Sequence, residues 1–98
     1  MTIHFHFEWD ARKAASNLRK HHVSFEEAVA VFSDPLAQTL FDPDHSTEDE
    51  RWVTLGEVGG RKLVVVVHTW LEAGGDHVHV RVISARLATS HEIQQYEG

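Results

Sequence analysis

The sequence predicts an α+β domain, with two N-terminal helices packed on a four-stranded antiparallel sheet and a short C-terminal helix after it. Three observations carry this reading. Capping signals followed by helical periodicity occupy the first third of the chain, β-rich runs separated by Gly-Gly pairs fill most of the rest, and another capping signal stands near the C-terminus. The 98 residues make one domain, 1–98, of a size that buries a core unaided.

Each element follows from its residues. Asp10 is an N-cap that opens a helix from Ala11 to about His21, with Ala14, Ala15 and Leu18 on one stripe and Lys13, Asn17 and Lys20 on a polar stripe beside it. Ser24-Phe25-Glu26-Glu27 is a capping box with Val23 and Ala28 at the staple positions. Phe25, Ala28, Val29 and Phe32 then recur at i, i+3, i+4 and i+7, until Asp34-Pro35 ends the helix. Ala37 to Phe41 is a short strand candidate, and Asp42-Pro43-Asp44-His45-Ser46 is a polar loop. Arg51 to Val58, Leu63 to Trp70 and His77 to Arg86 are three β-rich runs, and Gly59-Gly60 and Gly74-Gly75 between them are tight-turn signals. Thr89-Ser90-His91-Glu92 is a second capping box that starts a helix to Tyr96, and residues 3–8 are compatible with one more short strand.

Composition narrows the function classes. Without cysteine there is neither a disulfide framework nor a thiolate nucleophile. The start of the chain lacks a signal-peptide pattern, and the longest apolar run, Leu63 to Val67, is far short of the roughly 20 residues that span a bilayer. The expectation is a cytoplasmic protein with no membrane partner. The formal net charge of −6 is unevenly spread: residues 1–24 carry four basic and two acidic side chains, residues 25–60 one and nine, and residues 61–98 four of each. A nucleic-acid enzyme would work with the flanking segments and keep the acidic middle away from phosphate.

Turn arithmetic suggests a constellation. If both Gly-Gly pairs are two-residue turns, Val58 faces Arg61 and Ala73 faces Asp76. Arg51, His68 and Arg81 then form one row across three strands, beside the apolar rows Val53–Val66–Ile83 and Leu55–Val64–Ala85. Like charges side by side on a sheet are destabilising unless an anion sits among them, which points to a phosphate site. A one-residue slip would dissolve the row, and pairing of the arginines with Glu50 or Asp49 is the structural alternative.

Other residues carry two readings each. His77 and His79 share a strand face, as do His4 and His6 in the N-terminal segment; two such imidazoles can ligate zinc, but no third ligand at fixed spacing joins them, so no metal is assigned. Trp9, Trp52 and Trp70 are core residues or a platform for bases. Tyr96 packs as a hydrophobe or presents its hydroxyl near a scissile phosphate as catalytic support. A Gly-rich phosphate loop, a nucleophile elbow and a metalloprotease helix are all missing from the sequence.

Phe7-Glu8-Trp9-Asp10, Lys13, Asn17, Lys20-His21 and Val23-Ser24-Phe25-Glu26-Glu27-Ala28 closely resemble the opening of BrnT toxins. The likeness continues through Asp34-Pro35, Asp42-Pro43-Asp44-His45-Ser46, Glu50-Arg51, Gly56 and Val67-His68-Thr69, then Arg81, Ile83-Ser84-Ala85-Arg86, Ala88-Thr89, Glu92 and Tyr96-Glu97. This resemblance implies a RelE-like fold and a metal-independent ribonuclease that blocks translation without a cofactor. It also implies a BrnA-like ribbon-helix-helix antitoxin, RNA as substrate, and operator DNA contacted only through the toxin–antitoxin complex, which represses its own operon. A non-catalytic binding role, as a gyrase inhibitor or a repressor-complex subunit, is the alternative within the superfamily.

On this reading Arg51, Arg81 and Arg86 stabilise charge on the phosphorane, His68 transfers protons, and Lys13 and Lys20 hold the flanking backbone. Arg86 and the two lysines enter through the resemblance. Two neighbouring arginines would lower the pKa of His68 and favour its neutral form. Two positions depart from the family pattern. His22 stands where a glycine is expected after Lys20-His21, and Leu87 stands where a basic residue follows Arg86.

Overall fold

The computed structural model describes residues 2–43 and 50–98. Strand β1 (His4–Glu8) leads into helix α1 (Ala11–His21), then the short helix α2 (Phe25–Ala28), which continues as a 3-10 helix over Val29–Ser33. Strands β2 (Gln38–Asp42), β3 (Arg51–Val58), β4 (Lys62–His68), β5 (Leu71–Glu72) and β6 (His77–Leu87) follow, and helix α3 (Ser90–Glu97) comes last. Asp44, His45 and Ser46 of the polar loop, and Asp49, lie outside the described residues.

The sheet runs β1-β6-β4-β3-β2, with β5 paired to β6. The expected antiparallel set of four is present as β2, β3, β4 and β6, but the sheet is larger and mixed, because β1 joins β6 in parallel. The intervening α1 and the later strands make this possible, since parallel neighbours need a long connection rather than a hairpin.

Helices α1 and α2 cover one face of the sheet. Phe25, Ala28 and Val31 there meet Val64, Val66, Val78, Val80, Val82 and Ala85, all nearly or fully buried. Capping follows the sequence reading. Asp10 accepts from the backbone of Arg12 and Lys13, Ser24 accepts from Glu27, and Thr89 and Glu92 form a reciprocal box. His22 ends α1 at φ 60° and ψ 27°, the left-handed conformation in which a glycine was expected, and its N–H donates to the carbonyl of Leu18.

Two helical expectations change. The second helix tightens to 3-10 after Ala28, which turns Val31 rather than Val29 fully into the core. Val31 lies where a Cβ on Gly56 would come within 2.9 Å of its own Cβ, so Gly56 lets the 3-10 turn rest on β3. On α1, Leu18 is half exposed, and Asn17 leaves the polar stripe for the interior. Its Nδ2 donates to the carbonyls of Val23 and Ala85 at 3.0 and 2.8 Å, and its Oδ1 accepts from the amide of Ala85 at 3.0 Å. One amide thus ties α1, the α1–α2 turn and β6 together.

The strand registers also differ from the turn arithmetic. Val58 pairs with Lys62, so Gly59-Gly60-Arg61 is a three-residue loop, with both glycines at positive φ. Trp52, not Arg51, therefore lies opposite His68. Between β4 and β6, Val67 pairs with Ser84 while His68 pairs with Val82, leaving Ile83 as the extra residue of a β-bulge.

Candidate active site

The one-residue difference in register decides which face each polar side chain meets. His68 turns toward the helices and is fully buried. Its Nε2 shares a 2.7 Å hydrogen bond with the Thr54 hydroxyl, its Nδ1 lies 2.8 Å from the carbonyl oxygen of Thr69, and Phe32 packs edge-on against its ring. Desolvation lowers its pKa, opposed by the bond to Thr69, so the neutral form is favoured by burial and not by flanking arginines. The expected row Arg51–His68–Arg81 does not form, because Trp52 and Val82 are the neighbours of His68.

The opposite, open face of the sheet gathers the arginines. Arg51 pairs with Asp42 across β2 and β3, and Arg86 pairs with Val65 on β4. A groove of about 350 Å³ lies between them, lined by Asp42, Arg51, Val67, Ser84 and Arg86 among others. Residues 81 and 86 are an odd number of positions apart and would point to opposite faces of a regular strand. The bulge at Ile83 absorbs one position, so that the exposed Arg81 shares the open face with Arg86. Arg81 lines a second depression of about 380 Å³ with Glu8, Glu50, Thr69, Trp70 and His79.

Arg86 is held in place. Its two terminal nitrogens donate to the two carboxylate oxygens of Glu92 at 2.7 and 2.9 Å. These bonds, chiefly, bring Glu92 down to about 2 against a partial desolvation, with the backbone of Thr89 helping. Glu92 is thus a fixed anion that aims the guanidinium, and too weak a base to take a proton near neutrality. Sequence reasoning saw Glu92 only as a capping residue. The spacing of Arg86 and Glu92 across a strand-to-helix turn has no periodic signature.

The remaining expected site residues lie elsewhere. Lys13 and Lys20 are exposed on α1, which packs against the helix-covered face, so they do not line the groove. Tyr96 donates its hydroxyl to Asp34 Oδ2 at 2.6 Å, and that bond, first of several causes, raises its pKa to about 12. Partial desolvation pushes Asp34 up, but Tyr96 and the backbone amides of Glu57 and Leu36 outweigh it and leave its pKa lowered. The pair anchors α3 to the segment before β2. Trp9 and Trp70 pack on the core, and Trp52 is stacked edge-on against Phe41.

Among the described residues no helix is long and apolar enough to cross a membrane. The profile of the family described as the ribonuclease toxin BrnT of type II toxin–antitoxin systems matches residues 9–92. Among solved structures, the 1.1 Å crystal structure of the Brucella abortus ribonuclease toxin BrnT is similar, with a TM-score of 0.60. The similarity covers 91% of this chain and 100% of that one at 24% sequence identity, a likeness of fold. No curated protein matches the chain.

Proposed function

This chain belongs to the BrnT family of ribonuclease toxins of type II toxin–antitoxin systems, and from that premise we propose that it is a metal-independent endoribonuclease whose active groove is the open face between Arg51 and Arg86. The observation that carries this is the placement of two guanidinium groups on one solvent-accessible groove, one of them oriented by a bidentate carboxylate.

In the proposed reaction the 2′-OH of RNA attacks the adjacent phosphorus and the 5′-oxygen leaves, giving a 2′,3′-cyclic phosphate and a 5′-hydroxyl end. Arg51 and Arg86 stabilise the charge that builds on the phosphorane oxygens, and Arg81 holds the phosphate backbone where it continues along β6. His68, on the other face, positions β3 through Thr54 instead of transferring protons. Asp42, a carboxylate that lines the groove, accepts the 2′-OH proton, and a proton from solvent water passes to the leaving 5′-oxygen, giving its hydroxyl. Lys13 and Lys20 would meet only an RNA that wraps around the β1 edge.

A BrnA-like ribbon-helix-helix antitoxin, in this reading, covers the groove with a segment rich in carboxylates and apolar anchors, and the complex represses its own operon. Exposed Leu40 beside the arginine groove supports such a mixed partner. The decisive experiment digests RNA with the purified chain in EDTA. Cleavage that persists supports the proposal. No cleavage would favour a binding role, and cleavage that returns only on adding zinc or magnesium would overturn metal independence.

A further inference from the structure

At the β1 edge of the open face, β1 and β6 run parallel with His4 beside His77 and His6 beside His79. Four exposed imidazoles therefore stand on one patch, two from each strand. Their rings form a chain: His4 to His77 and His6 to His77 at 5.1 Å between centroids, His6 to His79 at 4.8 Å, all within 25° of parallel. Nε2 of His6 and Nδ1 of His77 are 2.8 Å apart and share a hydrogen bond. The sequence shows two separate His-x-His pairs. Only the parallel pairing of β1 with β6 makes one cluster of them.

We propose that His6 and His77, with His4 and His79 beside them, bind a borderline divalent transition-metal ion such as zinc and thereby clamp β1 onto β6. Two imidazole nitrogens in a tetrahedral zinc shell stand about 3.3 Å apart, so the pair at 2.8 Å need part by only about half an ångström to admit the ion. The shared proton moves to the far nitrogen of its ring, which leaves both facing lone pairs for the ion. Among the described residues no three ligand side chains already converge on one point. The His6–His77 pair therefore holds the ion first, and water with His4 or His79 completes the shell after a side-chain rotation, which exposure makes cheap. The borderline character of the ion follows from an all-nitrogen donor set. The cluster does not line the Arg51–Arg86 groove, so the ion has no role in bond cleavage, although His79 borders the depression that Arg81 lines.

The test uses the full chain, freed of metal with EDTA, dialysed and titrated with zinc chloride by calorimetry and by thermal melting. The expected result is one zinc per chain, with a Tm that rises with the logarithm of free zinc. The His6→Gln/His77→Gln double variant should lose at least about tenfold in affinity, since it removes both first ligands and even loss of an outer-shell partner costs about 10–100-fold, and its Tm should no longer respond to zinc. Equal affinity in the double variant, or no saturable binding to the wild type at sub-millimolar zinc, would overturn the proposal. Histidine-ring NMR on the wild type makes the outcome independent of how the variant folds. The His6 and His77 signals must move first, and signals of His21, His22 or His91 that shift at lower zinc would also overturn it.

Discussion

His68 and Arg51 lie on adjacent strands, one register step from being opposite each other, and they meet different environments. On the helix-covered face His68 is dry, bonded to Thr54 and Thr69, and packed under Phe32. On the open face Arg51 and Arg86 border a solvent-accessible groove. The same strands thus give one face to the main core and the other, beyond the patch where Leu55 and Val65 are buried near α3, to charge. A titratable residue type says little about chemistry until its face is known. Histidine, the usual proton carrier, serves the core here, while the groove on the other face is lined by arginines and a carboxylate.

The contrast can be broken most directly at Arg51. Arg51→Ala should slow RNA cleavage by about 10²–10³ while leaving the circular dichroism spectrum and Tm unchanged, since it removes a donor for developing charge from a face that does little packing. An equal loss of cleavage and of Tm would mean that the open face is structural after all.

Asn17→Ala makes the converse demand on the covered face. It strips the carbonyls of Val23 and Ala85 and the amide of Ala85 of their buried partner, which should cost about 2–4 kcal/mol of unfolding free energy in urea. Residual folded protein should keep its activity per molecule. A variant of wild-type stability but lower specific activity would place Asn17 in the chemistry.

The smallest effect sharpens the role of His68. Its folded pKa is lowered by burial, so the unfolded chain binds the extra proton first as pH falls. The stability it supports is full above about 6.5 and declines below that, toward the folded value. His68→Gln, which keeps an amide donor and acceptor, should flatten this part of the stability–pH curve and leave cleavage within a few-fold of wild type. If cleavage fell by orders of magnitude instead, His68 would belong to the reaction.

Much of this arrangement was legible in the chain. The caps at Asp10, Ser24 and Thr89 were local signals, and they hold in the structure because a cap is satisfied within four residues. The strands β3, β4 and β6 were visible in their apolar alternation and flanking glycines. What stayed hidden depended on length or long-range partners. Gly59-Gly60 and Gly74-Gly75 each read equally as a two- or three-residue loop; one more residue at the first sets Trp52 opposite His68, and one more at the second, where Ala73 meets His77, sets Val82 there in place of Arg81. Asn17 reads as surface because helix periodicity does not identify the amide that will meet the turn at Val23 and the backbone of Ala85 on β6, 68 residues away. The parallel pairing of β1 was equally out of reach, since it requires the intervening elements to be folded first.

The extra residue at Ile83 has a consequence for how this protein can change over time. In β6 it separates a stretch whose even positions, Val78, Val80 and Val82, are buried from one whose odd position, Ala85, is buried. Removing Ile83 itself would restore strict alternation and leave Val82 and Ala85 on the covered face and Arg81 and Arg86 on the open one. Removing one residue elsewhere in β6 while the bulge stays would exchange the two faces of half the strand, driving Arg81, His79 and His77 against Phe25 and Val31 or drawing Ala85 out. Removing or adding two would keep both faces and only shift the ends. Length variation among descendants of this chain should therefore be tolerated one residue at a time at Ile83 and in pairs elsewhere in β6, whereas the loops at Gly59 and Gly74 are free to grow by one. The bulge is a slack link at which the strand can change length and keep both its faces.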